Sequence, residues 1–498
     1  MDCLLTDLVR SGKPRLALNL YHKQFTKRAL PLHIPAFLAL LKACTQLKDL
    51  QSGCHIHADI VRNQVLSLDG RDEVFLGNKL VDMYAKCGSL EKSQQVFDML
   101  THRDIVSWNA LLAGYNLQGH GVEVLKVIQK ILIDGLSPDV VTFVLLSKIC
   151  ETTGSIVQGQ DVHSHTVRVG ELEKDSVVGN ALVDMYAKCG ALRKAQEVFN
   201  EIQIRDVVSW NVLIAGYTQH GNGEEALTCL EDMKSNGFGP DAVTFLCILK
   251  ACGILGAIEK GESIHNDIVR DGWLERHSLI GNALVDMYAK CGAIAKAQIV
   301  FDELPIQALV SWNSLIAGYA QVGKDELAFD TFNEMIRQGI VPDLITCTIL
   351  LTTCSHSGLL EKGQMYFASM STCFGIRPTV EHHTCVIDLF GRAGHFEKVQ
   401  TLVDEMPYSE NHTTWLTVLG ACHKWTNVKL GKLAFDHSIQ LDENEAAAYV
   451  LMRNIYTAAG RREDADKIKA MGVEKKAWEE RYDSEDGSVE ATGMLLLG

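Results

Sequence analysis

Apolar residues recur three and four positions apart along this chain, in short stretches separated by glycine. One instance shows the layout. Trp210, Leu213, Ile214 and Tyr217 mark a first stretch, Gly221 and Gly223 interrupt it, Ala226, Leu227, Leu230 and Met233 mark a second, and Gly237 and Pro240 close it. That spacing predicts two antiparallel amphipathic helices joined at the glycines. A single hairpin of this kind cannot bury its own apolar face, but stacked neighbours can. The expected fold class is therefore all-α, an α-solenoid superhelix of stacked helix-turn-helix hairpins.

The layout repeats on a fixed period. Val-Asp-Met-Tyr-Ala-Lys-Cys-Gly begins at Val81, Val183 and Val285, at intervals of 102 residues. Trp108, Trp210 and Trp312 keep the same period, as do Pro138, Pro240 and Pro342. Each block holds three units, which in the middle block are Ser176–Asp206, Val207–Asp241 and Ala242–His277, of 31, 35 and 36 residues. The tandem array is expected over 34–411, with Ile34–Glu73 as its first unit, carrying an insertion near Leu66–Arg71. Residues 1–33 read as the tail of a further, partial unit lacking its first helix. Residues 412–476 read as two degenerate units. Residues 477–498 form an acidic tail, with six Asp and Glu against Arg481, and are expected to be disordered.

Composition agrees with a folded, helical chain. Of 498 residues 47% are hydrophobic, 22% are charged and only nine are proline. No apolar run reaches the roughly 18 residues that a membrane span requires, so no membrane partner is expected. The net charge of −15 argues against a grip on nucleic acid by bulk electrostatics alone. Cations lining one groove, with the acids on the far side, would remove that objection.

The units resemble pentatricopeptide repeats. Val207-Val-Ser-Trp-Asn-x-Leu-Ile-Ala-Gly-Tyr217, followed by Glu225-Ala-Leu, Met233 and Gly237-x-x-Pro-Asp241, carries the resemblance, which extends over roughly residues 8–476. The alternation of 35, 36 and 31 residues is similar to the P, L and S units of the plant PLS class. Ala446–Ala465 resembles the E region of organellar C-to-U RNA editing factors. After Lys476 neither the Pro-Gly-x-Ser-Trp continuation nor the DYW deaminase domain of that class is found. The expectation is a chain that supplies specificity while a deaminase-bearing partner protein, or other editing factors, supplies the chemistry.

In such proteins each helical repeat reads one base of single-stranded RNA through two or three side chains. The resemblance places them at the fifth and last positions of each unit, with the second position packing on the base. The fifth and last residues here are Asn78 with Asp104, Asn109 with Asp139, Asn180 with Asp206, Asn211 with Asp241, and Asn313 with Asp343. An amide offers a donor and an acceptor to a pyrimidine edge, and in the family this pair implies uridine. Thr384 with Asn411 implies adenosine. Asn282 faces Ala308 and lacks the orienting acid. Leu38, Val144, Leu246 and Thr348 hold the fifth position of the L-like units and are left unassigned. Phe75, Val106, Val177, Val208, Leu279 and Val310 would pack against bases from the second position. The implied target is 5′-UUxUUxnUxA-3′, with the edited cytidine about four nucleotides beyond the A by the family's positional rule. The residues also admit plainer roles, Asn or Asp as helix caps or turn residues.

Other chemistry is not expected, and neither is a cofactor, a metal, a catalytic residue or a small-molecule substrate. Cys87, Cys189 and Cys291, like Cys150, Cys252 and Cys354, recur every 102 residues with no Cys-x-x-Cys among them, which fits packing better than metal binding. His57, His163 and His265 recur likewise. His395-Phe-Glu397 matches the first half of a zinc-deaminase motif, but no Pro-Cys-x-x-Cys follows. The alternatives are an organellar RNA stabilisation, splicing or translation factor without editing, or a TPR-like scaffold that holds a protein in its groove. The family implies mitochondrion or chloroplast, and residues 1–30, although basic, are not Ser-rich like a transit peptide.

Overall fold

The structure is a computed structural model that describes residues 2–25, 32–63, 71–121, 124–170, 172, 176–405 and 412–474. Among the described residues the regular structure is helical, arranged as consecutive hairpins, and no helix is long and apolar enough to cross a membrane. The chain divides into two compact units, Met1–Ala251 and Cys252–Gly498.

In the first unit, the helices Asp2–Arg10, Ile34–Leu47, Arg71–Lys86, Ile105–Leu117, Val140–Thr153, Ser176–Lys188 and Val207–Gln219 stack in order, each on the next. Each also packs against the second helix of its own hairpin where that pair is recorded, as Ser176–Lys188 does against Leu192–Glu201. The second unit does the same with Ser278–Lys290, Leu309–Gln321, Leu344–Ser357, Val380–Arg392, His412–Trp425 and Ala446–Ala458. Within each unit, equivalent residues of successive first helices therefore form rows. This is the solenoid that the hairpin pattern predicts.

The N-terminus corrects one expectation. Residues 2–25 contain both helices of a hairpin, Asp2–Arg10 and Pro14–Phe25, turning at Gly12 with φ of +75°. The nine-residue helix Asp2–Arg10 takes the place of a first helix against Ile34–Leu47, with Leu5 and Val9 buried. The sequence carries its signal, since Leu5, Leu8 and Val9 keep the i, i+3, i+4 spacing of a helix face. The helix Arg71–Lys86 also begins three residues before the unit boundary set at Val74. Residues 477–498 lie outside the described residues.

The repeated residues build a repeated core. Trp108 packs edge-on against Phe97, Trp210 against Phe199 and Trp312 against Phe301, each with ring centroids 4.7 Å apart. Such pairs add about 0.5–1.5 kcal/mol beyond the area they bury. Arg103 and Arg205 lie over the rings of Phe97 and Phe199, at 4.8 and 4.9 Å from the centroids. Glycine sets the closeness of adjacent first helices. A Cβ on Gly114, Gly216 or Gly318 would stand 2.8, 2.7 or 2.7 Å from the Cβ of Ala85, Ala187 or Ala289.

Candidate nucleic-acid interface

The fifth and last residues of a unit meet across the stack. Asn78 Nδ2 donates to Asp104 Oδ1 at 3.0 Å, Asn109 to Asp139 at 3.0 Å, Asn211 to Asp241 at 3.0 Å and Asn313 to Asp343 at 3.2 Å. The Asn180 side chain hydrogen-bonds Asp206, which also accepts from Ser176 Oγ at 3.1 Å. A carboxylate only accepts, so it forces the amide nitrogen toward itself and fixes which way the amide points. Asn282 faces Ala308 and has no such partner. Asn411 lies outside the described residues, so the pair of Thr384 with Asn411 has no description.

The plainer capping role holds for the aspartates. Asp104, Asp139, Asp206 and Asp343 each cap the next first helix in a capping box with Ser107, Thr142, Ser209 or Thr346. Asp241 Oδ1 takes the Thr244 N–H at 2.9 Å in the same way. The asparagines cap nothing, since they lie inside their helices. The aspartate therefore does two jobs with one oxygen: it starts a helix and holds the preceding unit's amide. Burial raises these five carboxyls, but the hydrogen bonds from Ser or Thr and from Asn outweigh it and hold all five below the usual carboxylate range.

The amides are recessed and the second-position residues stand proud. The six fifth-position asparagines are 6–9% exposed, whereas Phe75, Val106, Val177, Val208, Leu279 and Val310 are 47–64% exposed. Positions two and five of a helix lie about one turn apart on neighbouring faces. Each unit thus presents an apolar surface next to a recessed polar edge. Sequence reasoning missed three members of the apolar row. Val141, Val243 and Ile345 hold the second position of the 36-residue units and are equally exposed. The signal was the same register that exposed the other six.

Charges of both signs share the face of the second-position residues. Asp82, Asp184, Asp286 and Asp388 lie seven residues after the second position, on its face of the helix. Each pairs with the cation four residues on, Lys86, Lys188, Lys290 or Arg392, at 2.7–2.9 Å. Acids are therefore present on this face too, because the i,i+4 spacing that places the cations there places their partners beside them.

The remaining sequence candidates sit in packing contacts. Cys87, Cys189 and Cys291 turn their thiols toward the carbonyls of Cys44, Cys150 and Cys252, at 3.5–3.8 Å. His57 and His265 hydrogen-bond Tyr84 and Tyr288 through Nδ1 at 2.9 Å, and His163 pairs with Glu201 at 3.0 Å. The His395 ring lies edge-on to Phe390. Among the described residues no cluster of three or more His, Cys, Asp or Glu is placed to hold a metal ion.

Tandem two-helix units stacked in order define a helical repeat protein. The chain belongs to the pentatricopeptide repeat family. The model of the PPR repeat family matches residues 205–253 and 307–356, that of the pentatricopeptide repeat domain matches 332–393, and that of the PPR repeat matches 78–105, 106–136, 180–207 and 381–410. Pentatricopeptide repeat-containing protein At4g33990 of Arabidopsis thaliana is 35% identical over 87% of this chain and 52% of its own length. At2g13600, of the same name and organism, is 34% identical over 90% of this chain and 69% of its own. The chain thus spans about half of the first relative's length. Other relatives are named mitochondrial or chloroplastic. The maize pentatricopeptide repeat protein PPR10, solved in complex with an 18-nucleotide psaJ RNA element, shares the fold at a TM-score of 0.62 and 18% identity, over 95% of this chain and 74% of that one.

Proposed function

We propose that this chain binds single-stranded RNA sequence-specifically, one base per unit. The observation that carries the reading is the row of exposed apolar second residues, five of which, Phe75, Val106, Val177, Val208 and Val310, stand beside a recessed fifth-position amide oriented by an aspartate. Bases laid along the row would be sandwiched by Phe75, Val106, Val141, Val177, Val208, Val243, Leu279, Val310 and Ile345. The amides of Asn78, Asn109, Asn180, Asn211 and Asn313, held by their aspartates, would then meet uracil edges, which present one donor and two acceptors. The unpaired Asn282 would discriminate less, and the inferred target remains 5′-UUxUUxnUxA-3′. Neutralised cation pairs on the same face make contact with bases, more than bulk charge, the source of affinity.

The similarity of Ala446–Ala465 to an E region supports a role as a specificity factor for C-to-U editing, with residues 412–476 recruiting a deaminase in trans. The array over 34–411 would be the RNA-binding part. The organellar names among the relatives support a mitochondrial or chloroplast location.

Fluorescence anisotropy at fixed salt tests the binding reading with three probes: the U-rich RNA, the same RNA with every assigned U exchanged for G, and the DNA equivalent. Preference for the U-rich RNA, shifted by combined Asn109→Thr, Asn211→Thr and Asn313→Thr, is the expected result. Equal affinity for all three probes would refute it.

A further inference from the structure

The amide of a 35-residue unit is held at two points, and that of a 31-residue unit at no more than one. The second point is the third residue of the following unit. Thr142 Oγ1 donates to Asn109 Oδ1 at 2.8 Å, Thr244 to Asn211 at 2.6 Å and Thr346 to Asn313 at 2.7 Å. Each hydroxyl also lies near its aspartate, at 2.8, 3.0 and 2.9 Å. It has only one proton to give, and that aspartate oxygen already takes the backbone N–H and the amide N–H. The shorter distance to the amide in two of the three cases agrees with the proton going to Asn.

The same contact recurs where the fifth residue is threonine. Thr384 Oγ1 lies 3.0 Å from Thr414 Oγ1, and Thr348 Oγ1 lies 3.3 Å from His382 Nε2, the third residues of the units that follow. It is missing after the 31-residue units. There Ser107 and Ser209 turn their hydroxyls to Asp104 and Asp206, and Ser311 turns its own to the Ala308 carbonyl. The carbonyl oxygens of Asn78, Asn180 and Asn282 are consequently buried with no hydrogen-bond partner.

We infer that Thr142, Thr244 and Thr346 are positioning residues that set base specificity: their hydroxyls fill one acceptor site of the reading amide and lock its plane. The inference rests on the RNA-binding reading above. A hydrogen bond into an amide carbonyl also polarises its N–H, so the locked amides are the stronger donors to a base. The carbonyls of the amides in the 31-residue units take no hydrogen bond from the following unit, and a donor on the base would offset their desolvation. The two kinds of unit therefore make different demands on the nucleotide, although both carry asparagine at position five.

The test compares wild type with the triple variants Thr142→Val/Thr244→Val/Thr346→Val and Thr142→Ser/Thr244→Ser/Thr346→Ser. Each is titrated with the target RNA and with RNAs carrying C for U at the nucleotides facing Asn109, Asn211 and Asn313. Valine keeps the shape and removes the hydroxyl, and serine keeps the hydroxyl. Asp49→Ala, which removes the cap of the second helix Leu50–Arg62, controls for loss of a cap as such. Circular dichroism melts on every variant establish which are folded at the assay temperature, and single Thr→Val substitutions replace the triple if it is not. The expected result is a fall in the U-over-C ratio of about three- to tenfold per altered unit, the size of one orienting hydrogen bond, in the valine variant. The serine variant and Asp49→Ala keep the wild-type ratio. Wild-type discrimination retained in full by the valine variant overturns this inference alone, as does an equal loss in Asp49→Ala. A wild type that does not discriminate U from C overturns this inference alone, and one that binds the target RNA no better than its G-exchanged form or the DNA equivalent overturns the RNA reading with it.

Discussion

Asn211 and Asp241 are separated by thirty residues of chain and joined by one hydrogen bond, Nδ2 to Oδ1 at 3.0 Å. The same Asp241 oxygen receives the Thr244 backbone N–H at 2.9 Å. Helix capping and the proposed base reading would thus share an atom, and substitutions at the two ends of the bond separate them.

Asp241→Ala removes a helix cap and the anchor of the amide together. Unfolding free energy should fall by about 1 kcal/mol, the usual worth of an Asp cap, and the preference for uridine at the facing nucleotide should weaken. Asn211→Thr removes only the reading group from that oxygen and should shift base preference with the cap intact. Urea unfolding measures the first effect and anisotropy with single-nucleotide RNA variants the second. Equal stability of Asp241→Ala and wild type would mean that the capping geometry contributes nothing.

The five capping carboxylates make stability pH-dependent at the acid end. Asp104, Asp139, Asp206, Asp241 and Asp343 all titrate below the unfolded value near 3.8. A depressed folded pKa gives stability that is present in full above the unfolded pKa and lost as pH falls through the folded one. The aspartates' share of the urea midpoint should be present in full down to about pH 5 and be lost below it, whereas His57, His165, His265 and His382, which burial holds below the usual imidazole value, should already lower the midpoint between neutrality and about pH 5. Replacing all five aspartates by asparagine should flatten the drop below about pH 5, and an unchanged slope there would assign the acid sensitivity to other groups.

Gly216→Ala should destabilise despite alanine's better helix propensity. The added Cβ meets the Ala187 Cβ at 2.7 Å, and forced overpacking costs about 1–3 kcal/mol against a propensity gain of about 1 kcal/mol. Thermal melts of Gly114→Ala, Gly216→Ala and Gly318→Ala should all shift downward. A rise in any of them would show that the helices separate freely at that contact.

Val208→Glu should leave the fold within about 0.5 kcal/mol, because the side chain is exposed. RNA affinity should fall about tenfold, since covering an exposed Val side chain is worth about 1–2 kcal/mol and the new carboxylate would repel the anionic RNA backbone. The same result is expected for Val243→Glu in a 36-residue unit, whose fifth residue Leu246 has no polar group to offer a base. Full affinity in Val243→Glu would mean that such units leave their nucleotide unheld.

The sequence by itself determined the hairpins, their order and the register of each recurring residue. Trp108, Trp210 and Trp312 fall on the period that marks the core, whereas Phe75 and Val106, apolar themselves, are placed on the surface only by the resemblance to the family's second position. The helix Asp2–Arg10 was legible as well, in the spacing of Leu5, Leu8 and Val9. Only the tertiary structure decided which polar atoms meet. That Thr142 reaches Asn109 while Ser107 stops at Asp104 depends on how one helix lies against the next, to within an ångström. Hydrogen bonds are that sensitive to distance, whereas the apolar pattern that specifies the fold tolerates much more.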